Sequence, residues 1–128
     1  MKLSDFELEV MQVFWSYGET TAPEVHARIA ADHQVTYSTV KTIIDRLEEK
    51  GAVVRVRQYG RTILYRPEIR REQLAAPMVK SFVGKLFGGN VRPLFSQALA
   101  AEDLTLDDIA YLERILAEKK RDLEDGDG

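Results

Sequence analysis

The stretch Thr36–Gly51, TYSTVKTIIDRLEEKG, decides how the rest of this chain is read. Val40, Ile43, Ile44 and Leu47 recur at i, i+3, i+4 and i+7, the spacing of a helix with one buried stripe, and Gly51 stands where such a helix ends. The opposite side is unusual for a solvated surface. Its first two turns carry Tyr37, Ser38, Thr39, Lys41 and Thr42, short hydrogen-bonding groups and one cation where Glu, Lys and Gln are the common choice. That composition suits contact better than solvation.

Outward from this helix, the upstream sequence supplies two more. Ser4-x-x-Glu7 is a capping box that opens a helix with Phe6, Val10, Val13, Phe14 and Tyr17 at helical period, ending at Gly18. Thr21-Ala-Pro-Glu24 is a second box, with proline in the first turn where a missing N–H costs nothing; Val25 and Ile29 give that helix its inner face as far as Asp32. Three capped helices, the last two separated only by DHQV, make a helix-turn-helix pattern. Downstream of Gly51 the period falls from 3.6 to 2. Val53–Tyr59 alternates Val54 and Val56 with Arg55 and Arg57, Gly60-Arg61 turns the chain, and Thr62–Arg66 forms a second strand before Pro67. The expected fold is therefore mostly α with a small β-hairpin wing, a winged helix-turn-helix over residues 1–67.

The remainder reads as a helical dimerisation region over 68–123 and a disordered acidic tail over 124–128. A helix from Glu68 to Phe87 should bend or divide near Ala75–Ala76 because of Pro77. GGN at Gly88–Asn90 breaks the chain, a helix follows from about Pro93 to Ala101, and Thr105-x-x-Asp108 caps the last one. Phe82, Leu86, Phe87, Leu94, Phe95, Leu106, Ile109, Leu112, Ile115 and Leu116 are more apolar surface than these short helices can bury among themselves. A second copy of the chain is the simplest cover, so these residues are the dimerisation candidates.

Composition narrows the function. With no cysteine among 128 residues, disulfides, thiolate metal sites and thiol nucleophiles are excluded. No apolar run is long enough for a bilayer, and Asp5, Glu7 and Glu9 interrupt any would-be leader, so a cytoplasmic protein without a membrane partner is expected. The net charge of −3 hides a segregation: Thr36–Arg66 holds seven bases against three acids, and Ala101–Gly128 ten acids against four bases. His26 and His33 lack ligand spacing, which argues against a metal. There is no phosphate loop, nucleophile elbow or evident carboxylate pair, so neither an enzyme nor a cofactor is expected.

A B-DNA major groove accepts such a helix, and Ser38, Thr39, Lys41 and Thr42 are candidates for base-edge contact. Tyr37, Arg46, Arg55, Arg57 and Arg61 are candidates for the phosphate backbone or, on the wing, the minor groove. Each feature alone has a plainer reading: Thr36 as a cap, outward arginines as a solvated face. The alternative function is a winged-helix protein-interaction module that does not bind DNA, and a ligand sensor with a pocket between the halves is a third reading.

LSDFELEVMQVFWSYGETTAPEV, YSTVKTIIDRLEEKG and GRTILYRP, in this order, resemble the penicillinase-repressor family of BlaI/MecI/CopY-type winged-helix repressors, and the likeness extends through FGGN and LTLDDIAYLERIL. The resemblance implies a homodimer that binds a palindromic double-stranded DNA operator through its N-terminal winged helices and blocks transcription. It also implies recognition positions at Ser38, Thr39, Lys41 and Thr42 and a wing at Arg57 to Thr62. The chain departs from the family in its signal. No Asn-Phe dipeptide is present for inducing proteolysis, Gln97-Ala98 standing at the matching place, and the cysteine pairs of copper-responsive members are absent. The inducing protease or ligand is thus unknown from sequence.

Overall fold

A computed structural model describes residues 1–101 and 103–126. In chain order the elements are α1 (Asp5–Tyr17), β1 (Thr20–Thr21), α2 (Ala22–Ala30), α3 (Tyr37–Glu49), β2 (Val53–Tyr59), β3 (Thr62–Pro67), α4 (Arg71–Phe87), α5 (Arg92–Leu99) and α6 (Leu106–Gly126). They divide into two compact units, Met1–Val79 and Lys80–Gly128.

The first unit is the winged helix. Its three leading helices start at the expected caps: the Glu7, Glu24 and Thr39 amides donate to the Ser4, Thr21 and Thr36 hydroxyls at 3.1, 3.4 and 3.2 Å. The apolar stripes then meet in one core of Val10, Met11 and Phe14 from α1, Val25 and Ile29 from α2, and Val40, Ile43, Ile44 and Leu47 from α3. Val53 and Tyr65 close it from the sheet, the Tyr65 ring standing edge-on to Phe14 at 6.4 Å. Gly51, at φ 82°, lets the chain leave α3 in the left-handed region and turn directly into β2.

The sheet has three strands in the order β1-β3-β2, one more than the expected hairpin. Thr20 pairs with Tyr65 and Thr21 with Leu64. A two-residue strand is too short to show a period of two, and its threonines read equally well as a cap. A second departure lies within β2: Arg55 pairs with Tyr65 but Arg57 with Leu64, so Val56 is an inserted residue with no partner. Such a bulge moves every later side chain to the opposite face.

The division between the compact units falls inside α4, after Val79. The start of α4 is tied to α1. The Trp15 indole donates to the Ile69 carbonyl at 2.9 Å, and Arg71 both stacks 5.1 Å over the Trp15 ring and donates to Gln12 at 3.0 Å. Nor does Pro77 divide the helix. α4 runs through it, giving up the bond that would reach the Gln73 carbonyl.

In the second unit the Thr105–Asp108 capping box forms in both directions, at 3.0 and 3.1 Å. Phe82 stacks edge-on against Phe87 at 5.9 Å. Val83 is the only buried residue of this unit among those described. α6 continues as helix through Gly126, three residues into the expected disordered tail, because Leu123 and the flanking charges sustain a helical sequence; Asp127 and Gly128 lie outside the described residues. No described helix is long and apolar enough to cross a membrane.

Candidate nucleic-acid interface

α3 presents its polar side in two parts. Ser38, Thr39, Thr42 and Arg46 line one shallow concavity with Ile43, while Lys41 turns toward the wing, into a recess shared with Tyr37, Arg61 and Tyr65. Helix geometry explains the split: position 41 lies about 100° around the axis from 42 and on the flank opposite 39 and 46. The four candidate base-edge residues therefore do not share one concavity, and Lys41 lies on the flank toward the wing.

The local bonds decide which groups remain available. The Thr42 hydroxyl donates to the Ser38 carbonyl at 2.9 Å, leaving its methyl and lone pairs outward. The Thr36 and Thr39 hydroxyls pair at 3.0 Å. Lys41 donates to Asp45 one turn on, at 2.5 Å. That bond, opposed by partial burial, holds the ammonium above its ordinary pKa, so it is cationic throughout the physiological range. Tyr37 remains exposed and stands edge-on to His26 at 6.1 Å. His26 in turn bonds the Val35 carbonyl at 2.8 Å and so fixes the turn between α2 and α3. This histidine is a buttress for the helix entry.

The three wing arginines separate at the bulge. Arg55 shares the face of its cross-strand partner Tyr65, on the helix side of the sheet, and donates to both oxygens of Glu48 at 2.6 and 3.3 Å. The Glu48 carboxylate raises its pKa further and takes up its charge. Arg57 emerges on the other face, where it donates to the Tyr59 hydroxyl at 2.9 Å and lies 5.8 Å from that ring. Arg61, at the hairpin tip, forms no ion pair among the described residues. Arg46 is likewise exposed and without an ion pair among them. Among the described residues, Arg46 on one side of α3 and Arg61 on the other are thus cations without an ion pair, while Lys41 is held by Asp45.

Against known proteins, the profile of the family described as penicillinase repressor matches residues 3–118. The chain belongs to the penicillinase repressor family. It is 29% identical over 119 residues to the penicillinase repressor of Bacillus licheniformis, covering 93% of this chain and 92% of that one. The solution structure of the DNA-binding domain of the repressor BlaI superposes with a TM-score of 0.50 at 33% identity, over 55% of this chain and 84% of the other. A MarR-family protein from Bacillus stearothermophilus, 18% identical with a TM-score of 0.53 over 97% of this chain and 77% of its own, shares the fold. The penicillinase-repressor match continues to Glu118, so it takes in most of α6 as well as the winged helix.

The residues that sequence reasoning overlooked are the partners. Asp45 stands four residues after Lys41, a spacing that does announce a helical ion pair. Glu48 and Arg55 meet across a helix and a strand, and no local pattern announces that. Tyr65, which no local pattern distinguishes within its strand, is fully buried beneath Lys41 and Arg61.

Proposed function

We propose that this chain is a sequence-specific DNA-binding transcriptional repressor that acts in the cytoplasm as a homodimer on a palindromic operator. The observation that carries the reading is the outer face of α3. Ser38, Thr39, Thr42 and Arg46 lie side by side on an exposed helix surface, with hydroxyls, methyls and one guanidinium that has no ion pair among the described residues. A major groove takes a helix of this kind, Arg46 and Ser38 offering hydrogen bonds to base edges and Thr42 a methyl for thymine. Arg57 and Arg61 on the wing supply charge for the flanking backbone. Family membership supports the reading, as does the BlaI DNA-binding domain among the solved structures.

The homodimer rests on the second unit. Phe95, Leu99, Leu104, Ile109, Ile115 and Leu116 line a groove of about 750 Å³ between α5 and α6 that is almost wholly apolar, and Leu116 is 66% exposed. Phe82, Leu86 and Leu106 are exposed beside them, while Phe87, Leu94 and Leu112 are partly covered within the chain. An apolar face of this extent calls for a partner, and a second copy provides one with the same face.

The test uses fluorescence anisotropy with operator DNA taken from upstream of the chain's own gene. Ser38→Ala and Arg46→Ala should each lose about 1–3 kcal/mol on the operator and less on scrambled DNA, which is the mark of base reading. Equal losses on both sequences, or none, would overturn the assignment of this face.

A further inference from the structure

α4 begins in the first unit and ends in the second, so it carries the covalent link between them. The connector that leads into it is bonded on both sides. The Glu68 and Ile69 amides donate to the Ala52 carbonyl at 2.8 and 3.3 Å, and the Ile69 carbonyl accepts from the Trp15 indole at 2.9 Å. Surface connectors ordinarily leave such groups to water and move more than the elements they join. Arg71, in the first turn of α4, covers the Trp15 ring at 5.1 Å and donates to Gln12, one turn earlier on α1, at 3.0 Å. Leu74 is buried, but every residue from 75 to 79 is exposed. The grip on α4 thus ends after its first turn, and it is centred on one side chain of α1. A helix held only there owes its direction to that hold, because the free amides of a first turn otherwise fray.

We propose that Trp15 is a positioning residue for operator binding: with Arg71 it latches the first turn of α4 to α1 and so fixes the direction in which α4 leaves the winged helix. The inference rests on the dimeric DNA-binding reading above. Two linked winged helices gain over one only when the link keeps the second near its half-site, and the gain shrinks as the link loosens. Trp15 lines neither the concavity on α3 nor the α5–α6 groove, so it reaches the operator through α4. Its ring also packs against the core, and the test has to separate latching from stability.

Two full-length variants do so. Trp15→Phe keeps an aromatic ring and removes the indole N–H; Arg71→Ala strips the cover from the ring at an exposed position and spares the core. Each should bind the full operator about ten-fold more weakly, within the range that linkage supplies, while affinity for an isolated half-site and the sedimenting dimer stay as in the native chain. Operators with one or two base pairs inserted between the half-sites should separate them further: the native chain should reject these sharply, and both variants should discriminate less. Arg71→Lys, which returns a cation to the ring, should recover most of the loss. Hydrogen exchange gives a readout without DNA, with the amides of residues 73–79 exchanging faster in both variants while those of α1 and α3 hold. Equal losses on operator and half-site would show that Trp15 only stabilises the winged helix. Unchanged operator binding, or a spacing preference as sharp as the native one, would show that the latch does not set α4 for DNA. Each of these results overturns the proposal and leaves the DNA reading in place. If the native chain binds no duplex at all, the DNA reading falls and the positioning role falls with it.

Discussion

Arg55 and Arg61 differ in what already holds them. Arg55 lies against Glu48 with both carboxylate oxygens engaged, whereas Arg61 projects from the hairpin tip with its guanidinium unpaired among the described residues. A phosphate contact from Arg55 must first displace Glu48; one from Arg61 displaces only water. The salt dependence of DNA binding should separate them, since each neutralised phosphate contributes about 0.9 to the slope of log K against log salt. Arg61→Ala should flatten the slope by about two between 50 and 200 mM salt, one contact being lost from each protomer of the dimer, and Arg55→Ala should leave it nearly unchanged. Anisotropy titrations across that range check both, and equal slopes for the two variants would contradict the separation. In the sequence these arginines are equivalent, because the alternation VVRVR gives no sign that Val56 is inserted. The bulge exists only in the pairing of β2 with β3, where Tyr65 must fill the core beside Phe14 while Leu64 faces away.

The element that has to be placed accurately is α3, and its far end is fixed by a contact no periodicity reveals. Lys50, at the end of α3, donates to the Lys2 carbonyl at 3.0 Å and to Glu7 at 2.8 Å. Glu7 is thereby both the reciprocal cap of α1 and the anchor of the recognition helix. The capping box was legible from Ser4-x-x-Glu7 alone, as were the stripes of all three helices, because both are local patterns that the backbone imposes. The anchor was not, because it joins residues 43 positions apart. Burial alone raises the Glu7 carboxyl, but hydrogen bonds from Lys50 and Ser4 outweigh it and hold the group below its ordinary value of 4.5. A lowered carboxylate stabilises the fold fully above its unfolded value, and that contribution disappears as pH falls through the folded one. Glu7→Gln should therefore lose about 1 kcal/mol near neutrality, a modest figure because Lys50 is partly open to solvent. Thermal melts of the two proteins should differ most at pH 7 and converge below about pH 4.5. A difference that persisted at pH 3 would show that the carboxylate's charge is not what anchors α3.

At the scale of the whole molecule, affinity for an operator depends on how many winged helices bind at once. A single recognition helix touches few base pairs, and joining two raises the effective concentration of the second after the first has bound, by as much as 10²–10⁴. The second unit has the surface to supply that link and little else to do with it, Val83 being its only buried residue among those described. Its apolar stripes were legible in the sequence; what covers them was not, since a stripe specifies that a partner is needed and leaves its identity open. Leu116→Glu places a carboxylate at an exposed position on the wall of the α5–α6 groove. It should leave the winged helix folded, because every residue of that core lies upstream of it in the first unit. Sedimentation velocity should then show a dimer for the native chain at micromolar concentration and a monomer for Leu116→Glu. Operator affinity should fall by at least a hundred-fold, while binding to an isolated half-site stays the same. A variant that sediments as a monomer yet binds the full operator as tightly as the native chain would mean that each winged helix acts alone, and that the apolar face serves some other partner.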